Sequence, residues 1–311
     1  MKRTLPLEGR VAAKRPGGGL VPPRQTVKQA LTPGRMLPPR GGGRVLIMGI
    51  VNVTPDSFSD GGRFLAPGDA LAHARRLIAE GADLLDVGGE STRPGAEPVG
   101  EAAEIARVVP VIEAVRRESD VAISIDTMKP AVAVAAVAAG ATMWNDVSAL
   151  TASPDSLATA AELGCEVVLM HMRGEPRTMQ AAPRYDDVLA EVAAFLAARA
   201  DAATAAGVAR GRIWLDPGFG FGKTPTHNLA LIRGLPRLAV LGFPVLVGAS
   251  RKSSIARIAG DGAGEDRRLG GSIALALAAA AGGAAAVRVH DVAETRQALA
   301  VAAAIGQAPP R

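Results

Sequence analysis

The chain has 311 residues, 48% of them apolar, and a net charge of +5. This length fits either two small domains or one α/β barrel of about 250 residues. A single cysteine, Cys165, excludes an internal disulfide and a cysteine-only metal cluster, and it predicts a reducing, cytoplasmic setting. No apolar run reaches the roughly 18 uncharged residues of a membrane span, so we expect a soluble protein without a membrane partner.

The first 44 residues carry an excess of positive charge. They contain ten Lys or Arg side chains and one acid, Glu8, so this segment has a charge of +9 and the remaining residues −4. A basic segment rich in Pro and Gly buries too little apolar surface to fold alone. We therefore expect residues 1–44 to form a flexible, solvated extension rather than a nucleic-acid-binding arm. The segment lacks the apolar core of a secretory signal, but its Arg-rich, acid-poor composition leaves organelle targeting open.

From residue 44 onward, short apolar runs alternate with longer segments of helical spacing. Pro110 interrupts one helical segment and should bend it. Eight strand candidates separated by helices predict parallel pairing, and their number favours a closed (β/α)8 TIM barrel over an open sheet. We place this single barrel domain at 45–304 and a C-terminal tail at 305–311. The apolar runs span 44–50, 84–87, 121–125, 141–144, 166–170, 213–215, 244–248 and 285–289.

Polar residues follow these apolar runs almost directly. In a barrel, the carboxyl ends of all strands meet at one rim, which is where barrel enzymes hold their active sites. Polar residues that are far apart in the sequence should therefore converge there. They are Asn52, Asp86, Asp126, Asn145, Asp146, His171, Arg173, Asp216, residues 250–253, Arg288 and His290.

The segment LDPGFGFGKT, residues 215–224, ends like a phosphate-binding P-loop. A P-loop needs a glycine five positions before its Gly-Lys pair, and here that position is Pro217. Proline has no N–H to offer a phosphate, so the pattern argues against a nucleotide site. The histidines, His73, His171, His227 and His290, have neither the spacing nor the cysteine support of a zinc site. A Mg²⁺ ion held mainly by a phosphorylated substrate and one side-chain oxygen stays open, since Mg²⁺ often keeps several waters.

Taken singly, the polar residues at strand ends also have structural interpretations. Arg288 and His290, two apart at a strand end, point to the same face and can both reach one anion. The structural alternatives are a helix cap for Asp126, Ser250 or Ser253, a turn-fixing carboxylate for Asp216, a solvated side chain for Lys252 and a buried, satisfied ring for His290.

Eight blocks stand out along the chain: MGIVNVTPDSFSDGG (48–62), DVGGESTRPGA (86–96), SIDT (124–127), WNDVSAL (144–150), LMHMRGEPRTMQ (169–180), LDPGFGFGK (215–223), GASRKS (248–253) and RVHDV (288–292). Together they resemble the dihydropteroate synthase family. The blocks occur in the same order as in that family, and the resemblance covers residues 45 to about 304. The resemblance implies condensation of 6-hydroxymethyl-7,8-dihydropterin diphosphate with p-aminobenzoate, which gives 7,8-dihydropteroate and pyrophosphate for folate synthesis. It also implies Mg²⁺ as cofactor, competition by sulfonamides and a homodimer. From the composition of residues 1–44 we expect no nucleic-acid partner.

The resemblance assigns roles to individual residues. The catalytic residues would be Asp126, Lys252 and Arg288. The pterin would contact Asp126, Asn145, Asp216 and Lys252, and the diphosphate would contact Asn52, Thr92, Arg288 and His290, with Asn52 also binding the metal. The p-aminobenzoate site would comprise Phe58, Thr92, Pro94, Phe221 and Ser253.

The expected mechanism separates charge. Breaking the C–O bond leaves a cation on the pterin methylene, which Asp126 would stabilise, and an anion on pyrophosphate, which Mg²⁺, Arg288 and His290 would stabilise. Loops 51–68 and 88–98 would close over the site. Two alternatives are a pterin-dependent methyltransferase and a synthase-like paralogue that binds pterin without turnover. The diphosphate and arylamine blocks argue against the first, and the complete polar set argues against the second.

Overall fold

The computed structural model describes residues 1, 44–53, 67–91, 96–175, 178–262 and 264–307. Residues 2–43 of the predicted extension lie outside these ranges, as do parts of both predicted covering loops. Three residues predicted to bind p-aminobenzoate also lie outside the described ranges; they are Phe58, Thr92 and Pro94.

Strands alternate with helices along the described chain. The strands are β1 (Leu46–Asn52), β2 (Leu84–Gly88), β3 (Ala122–Asp126), β4 (Met143–Asp146), β5 (Glu166–Met170), β6 (Ile213–Asp216), β7 (Leu246–Val247) and β8 (Ala286–Val289). The helices are α1 (Pro67–Glu80), α2 (Glu101–Glu118), α3 (Pro130–Ala138), α4 (Ser156–Leu163), α5 (Val188–Ala205), α6 (Pro225–Arg233), α7 (Leu235–Ala239), α8 (Ser253–Ala259), α9 (Leu269–Ala281) and α10 (Val292–Gln307). Within the described ranges, no helix is both long and apolar enough to cross a bilayer.

The strands form one parallel sheet in the order β6-β5-β4-β3-β2-β1-β8-β7. Between β6 and β7, Leu215 donates its N–H to the Pro244 carbonyl at 2.9 Å and pairs in parallel with Val245. The sheet is therefore a nearly closed barrel, and the predicted (β/α)8 fold is confirmed. β7 is shorter than the predicted run 244–248 because Pro244 has no N–H to donate to a neighbouring strand.

Side chains along each strand alternate between two cores, as the pleat requires. The smaller core fills the barrel interior with one buried residue from every strand. The larger core lies between the strands and the surrounding helices and includes Val51, Leu85 and Ile123. The eight interior residues are Met48, Leu84, Ala122, Met143, Val168, Trp214, Leu246 and Ala286.

The helices bury apolar stripes against the outside of the barrel. On α2, Val108, Val111, Ile112 and Val115 are buried at the spacing of one helical face. The helix continues through Pro110, whose side chain lies on the exposed face. The helix layer thus supports the strands, and the strand ends hold the polar residues.

Candidate active site

The strand pleat brings polar side chains together at one end of the barrel. Because side chains alternate along a strand, the next residue that points into the barrel comes two positions after each of the eight interior residues. In five strands that position is polar, and in two of these a second polar residue follows two positions later. The residues are Asp86, Ser124, Asn145, Asp216 and Arg288, followed by Asp126 and His290.

Arg288 lies between two carboxylates at the barrel mouth. Its Nε donates to Asp86 Oδ2 at 2.6 Å, and its Nη2 donates to Asp126 Oδ2 at 2.8 Å. Asn145 Nδ2 donates to the same Asp86 oxygen at 3.1 Å. Because Asp86 is fully buried, its charge needs these partners. The network fixes the orientation of the guanidinium and of the Asn145 amide.

The two carboxylates and one guanidinium carry an excess negative charge. Burial raises the pKa of Asp126 to about 7, and repulsion by Asp86 acts in the same direction. Burial opposes the charged form of Arg288, but attraction to Asp86 and Asp126 raises the pKa of its guanidinium above the ordinary value. A cation that develops next to Asp126 would relieve this excess charge, so the site suits a positively charged reaction centre.

Asp216 occupies the end of β6 and is buried. Its Oδ1 accepts a hydrogen bond from the Gly218 N–H at 2.7 Å, so the carboxylate does fix the turn. Burial raises the pKa of Asp216 to about 6, while the Gly218 N–H and the Lys252 charge act in the opposite direction. Its Oδ2 accepts no hydrogen bond from the residues that the structure describes, and it can accept one from a ligand.

The loop after β6 packs backbone to backbone on the loop after β5. Gly218 and Gly222 have φ values of +68° and +65°. A Cβ at Gly218 would fall on the His171 carbonyl oxygen, and one at Gly222 would fall on the Arg173 carbonyl oxygen. Glycine is required here both for the left-handed conformation and for this close approach.

The loops after β6 and β7 meet at Phe221 and Lys252. The Lys252 Nζ lies 4.1 Å from the centroid of the Phe221 ring, which is buried. This is a cation–π contact, and Lys252 is half-buried rather than fully solvated. Ser253, the first residue of α8, is exposed, and the helix has no side-chain cap.

The structural alternatives for Ser250 and Asp126 are wrong. Ser250 Oγ accepts a hydrogen bond from the His290 N–H at 3.2 Å and lies 3.1 Å from His290 Nδ1. It therefore links two strand ends and does not cap α8. Asp126 does not cap α3 either, because that helix is capped at Lys129 without a side-chain hydrogen bond.

Arg251 ties the loops after β7 and β8 together. Its Nε and Nη2 donate to both carboxylate oxygens of Asp291, at 3.1 and 2.5 Å. Its backbone N–H donates to Ser272 Oγ at 2.9 Å, and its φ is +55°. These contacts hold a non-glycine residue in an unfavourable conformation, next to Lys252.

Some predicted strand-end residues do not join the Arg288 network. Asp146 faces outward, because it follows the inward-facing Asn145 directly. Its carboxylate accepts from the N–H and hydroxyl of Ser148, both at 2.7 Å, and from the Leu150 N–H at 3.1 Å. Arg173 pairs with Glu191 at 2.5 Å. Because successive side chains of a strand point to opposite faces, the sequence alone predicts that Asn145 and Asp146 face opposite sides of the sheet.

Asp86 and Lys223 are among the residues of the site region that received no role from the sequence. The sequence grouped Asp86 with the strand-end residues without giving it a role. It lies two positions after Leu84, which is the spacing that points both side chains into the barrel. Lys223 belonged to the rejected P-loop pattern, yet it is buried, with 1% exposure. Thr224 beside it accepts a hydrogen bond from the His227 N–H at 3.2 Å and caps α6.

Asn52, the last residue of β1, lies in register with Gly88 at the same end of the barrel. Among the described residues, no group of three or more His, Cys, Asp or Glu side chains is arranged to hold a metal. A single amide oxygen fits a Mg²⁺ ion whose other ligands are substrate oxygens and water. The donor set thus fits Mg²⁺ that binds together with a diphosphate.

Residues 48–290 match the sequence model of the pterin binding enzyme family. The chain belongs to the pterin-binding enzyme family. Every predicted site residue lies within the matched range, and the resemblance seen in the sequence blocks is confirmed.

Relatives in the pterin-binding enzyme family include several dihydropteroate synthases. The Escherichia coli K12 enzyme is 49% identical over 255 residues, which is 82% of this chain and 89% of that protein. The Xanthomonas albilineans enzyme with 4-aminobenzoic acid is 52% identical, with a TM-score of 0.80 over 86% of this chain and 94% of that chain. Its complex with 7,8-dihydropteroate is 50% identical, with a TM-score of 0.78 over 86% and 95%. The Yersinia pestis enzyme in a sulfonamide complex is 45% identical, with a TM-score of 0.81 over 86% and 96%.

Proposed function

We propose that this chain is an enzyme of folate synthesis that catalyses the dihydropteroate synthase reaction. It joins 6-hydroxymethyl-7,8-dihydropterin diphosphate to p-aminobenzoate and releases pyrophosphate. The observation that carries the proposal is the hydrogen-bonded set of the buried Asp86 and the partly buried Asp126 and Arg288, at the mouth of a barrel whose relatives are dihydropteroate synthases. A negatively charged, water-poor site is what a developing pterin methylene cation requires.

The pterin binds through groups that fix its orientation. Asp216 Oδ2 and Asp126 accept hydrogen bonds from the amino and ring N–H groups of the heterocycle, because a carboxylate only accepts. Asn145 is already oriented by Asp86, so its carbonyl oxygen and second amide proton face the ligand in a fixed direction. Lys252 donates to a ring acceptor.

The reaction breaks the C–O bond between the pterin methylene and the diphosphate. The electron pair leaves with pyrophosphate, and the electron-poor methylene is stabilised by Asp126. The nitrogen of the neutral arylamine then forms the new C–N bond and loses one proton. Arg288 keeps Asp126 oriented and contributes positive charge near the departing group.

The diphosphate lies beside Arg288, His290, Asn52 and Thr92. His290 is held by Ser250 through its backbone N–H, which fixes the ring near the end of β8. Asn52 would hold a bound Mg²⁺, and the metal would supply positive charge to the leaving pyrophosphate.

The p-aminobenzoate site lies between the loops after β6 and β7. Phe221 supplies an apolar face, fixed by its contact with Lys252, and the exposed Ser253 supplies a polar edge. Three residues outside the described ranges complete the site; they are Phe58, Thr92 and Pro94. Sulfonamides compete with p-aminobenzoate at this position.

We also propose a homodimer in the cytoplasm, without membrane or nucleic-acid partners. Val301 and Ile305 on α10 are 55% and 70% exposed and lie one turn apart on the same helix face. Two exposed, large apolar side chains on one face favour contact with a second copy. The single, buried Cys165 fits a reducing compartment.

A reconstituted reaction tests the proposed activity. Pyrophosphate release is measured with dihydropterin diphosphate, p-aminobenzoate and Mg²⁺, and each component is omitted in turn. We expect release to depend on both organic substrates, and Asp216→Asn to raise the KM for the pterin substrate. Asp201→Asn, on an exposed face of α5, is the matched control. Pterin binding without release in the complete reaction would instead support the inactive paralogue.

A further inference from the structure

Lys223 is a buried lysine that the proposed mechanism does not use. Its Nζ contacts His171 Nδ1 at 2.9 Å, the His171 carbonyl oxygen at 3.2 Å and the Phe221 carbonyl oxygen at 2.9 Å. An ammonium has three protons and accepts no hydrogen bond, so these three acceptors satisfy it completely. A neutral amine would leave one acceptor without its proton.

The contact with Lys223 defines the state of His171. Because Nζ only donates, His171 Nδ1 must accept, and the ring is neutral with its proton on Nε2. Burial and the Lys223 charge lower the pKa of His171 to about 3, which agrees with a neutral ring. The imidazole also packs edge-on against Phe195, with 4.9 Å between ring centroids. His171 is therefore a fixed acceptor beneath the loop.

The contacts of Lys223 join the two loops that support the pterin pocket. The His171 carbonyl belongs to the loop after β5, and the Phe221 carbonyl belongs to the loop after β6. Tyr185 also holds the loop after β6, because its hydroxyl donates a hydrogen bond to the Gly222 carbonyl at 2.9 Å. The loop held in this way, residues 217–222, follows Asp216 and contains Phe221, and both of these residues face the proposed substrates.

Lys223 also acts on Asp216 through charge. Its positive charge lowers the pKa of Asp216, in opposition to burial. Burial in turn lowers the pKa of Lys223 to about 7, and attraction to Asp216 opposes that change. The other cations facing Asp216 are Lys252 and Arg288, and the other titratable or charged groups facing Lys223 are Arg173, Lys252, His171 and His227.

We propose that Lys223 is a positioning residue of the pterin site, which holds the loop 217–222 in place and keeps Asp216 in its carboxylate form. The proposal rests on the proposed function, because it concerns the same pterin pocket. It assigns to the Gly-Lys end of LDPGFGFGKT a role in place of phosphate binding.

The test compares Lys223→Met and Lys223→Gln with the wild type. The affinity for dihydropterin diphosphate is measured from pH 5 to pH 8, without p-aminobenzoate, and folding is checked by thermal unfolding. We expect Lys223→Met to weaken binding at least about tenfold, as loss of charge-assisted hydrogen bonds does. Without the Lys223 charge, the pKa of Asp216 rises, so the pH below which affinity is lost should move upward in both variants. Lys223→Gln retains two N–H donors and should recover part of the affinity, and it decides the question if Lys223→Met does not fold.

Tyr185→Phe is the control, because it removes the Tyr185 hydrogen bond to the loop and leaves every charge in place. We expect it to weaken pterin binding about two- to tenfold, with the pH midpoint unchanged. A folded Lys223 variant with the wild-type midpoint would overturn the proposal, whatever its affinity. An equal shift in Tyr185→Phe would also overturn it, since loop displacement would then explain the effect. A wild type that binds pterin but forms no product would contradict the proposed function alone.

Discussion

Single residues of this site acquire their roles from partners that are distant in the sequence. Asp86 and Arg288 are 202 residues apart, yet their side chains lie 2.6 Å from each other. Arg288 in turn holds Asp126, whose carboxylate faces the proposed reaction centre. Removal of one member therefore changes both the orientation and the charge of the others, and single substitutions here should not be additive.

Asp126→Asn tests the cation-stabilising charge while keeping the shape of the side chain. We expect kcat to fall about 10²- to 10³-fold, the usual effect of losing one preorganised electrostatic group. The measurement is initial rate against both substrates, with Asp201→Asn as the control on an exposed helix face. Full activity in a folded Asp126→Asn protein would show that the methylene cation is stabilised elsewhere.

The raised pKa values of Asp126 and Asp216 predict opposite pH dependences for activity and stability. The pKa is about 7 for Asp126 and about 6 for Asp216, so the catalytic anions are lost as the pH falls through this window and kcat/KM should decrease. In the unfolded chain, aspartate has a pKa of about 3.9. Between about pH 4 and pH 7 the folded protein therefore binds more protons, and these two groups make unfolding easier as the pH rises.

Initial rates and thermal unfolding, measured from pH 5 to pH 8, check both predictions: kcat/KM should decrease as the pH falls, and the contribution of these two groups to stability should decrease as the pH rises. In Asp126→Asn the step near pH 7 should disappear from the rate profile. A wild-type kcat/KM that is constant over this range would contradict the assignment of Asp126 and Asp216 as anions in the reaction.

The sequence predicted which side chains reach the barrel mouth, but not which of them pair. Position at the end of an apolar run located Asn145, Asp216 and Arg288 correctly. The pairing of Asp86 with Arg288 depends on barrel closure, which no local pattern contains. The burial of Lys223 was missed because two of its three acceptors, the ring nitrogen and the carbonyl of His171, belong to a different loop.

At the scale of elements, short strands end in loops whose backbone must approach closely. The apolar runs predicted every strand to within a few residues, because buried parallel strands are continuous hydrophobic segments. The loop after β6 is different, since its geometry depends on the left-handed Gly218 and on the backbone of His171. Glycine frequency alone does not identify that contact.

Gly218→Ala tests this contact between elements. The added Cβ would overlap the His171 carbonyl, so we expect a lower thermal stability and a weaker pterin affinity. Gly260→Ala is a matched control, because Gly260 also has a positive φ, +73°, but has open space around the added Cβ. The control should lose only about 1–2 kcal/mol, the usual cost of a left-handed L-residue. Equal effects of the two substitutions would mean that the loop does not need this close approach.

At the scale of the whole molecule, the fold follows from the number and order of its elements. Eight apolar runs separated by helical segments specify a barrel, since alternating strands and helices pair in parallel. Leu215 and Val245 form the contact that closes the barrel between β6 and β7. The sequence could not locate this contact, because Pro244 shortens the pairing of these two strands. The predicted division into an extension (1–44), a barrel (45–304) and a tail (305–311) stays a prediction.

The proposed homodimer leads to a prediction for the molecule as a whole. Ile305→Asp places a charge on the exposed apolar face of α10 and should produce monomers, measured by sedimentation velocity. Val134→Asp, at an exposed site on α3 with 43% exposure, is the control and should remain dimeric. If Ile305→Asp sediments as the wild type does, the two copies do not meet through this face.

The central claim is that this barrel forms the bond between a pterin methylene and an arylamine. The most direct test is the ratio of 7,8-dihydropteroate formed to pyrophosphate released, with isotopically labelled p-aminobenzoate and chromatographic detection of product. We predict one dihydropteroate for every pyrophosphate, and the loss of both together in Asp126→Asn. Pyrophosphate released without labelled dihydropteroate would show that water attacks the methylene, and would contradict the proposed synthase activity.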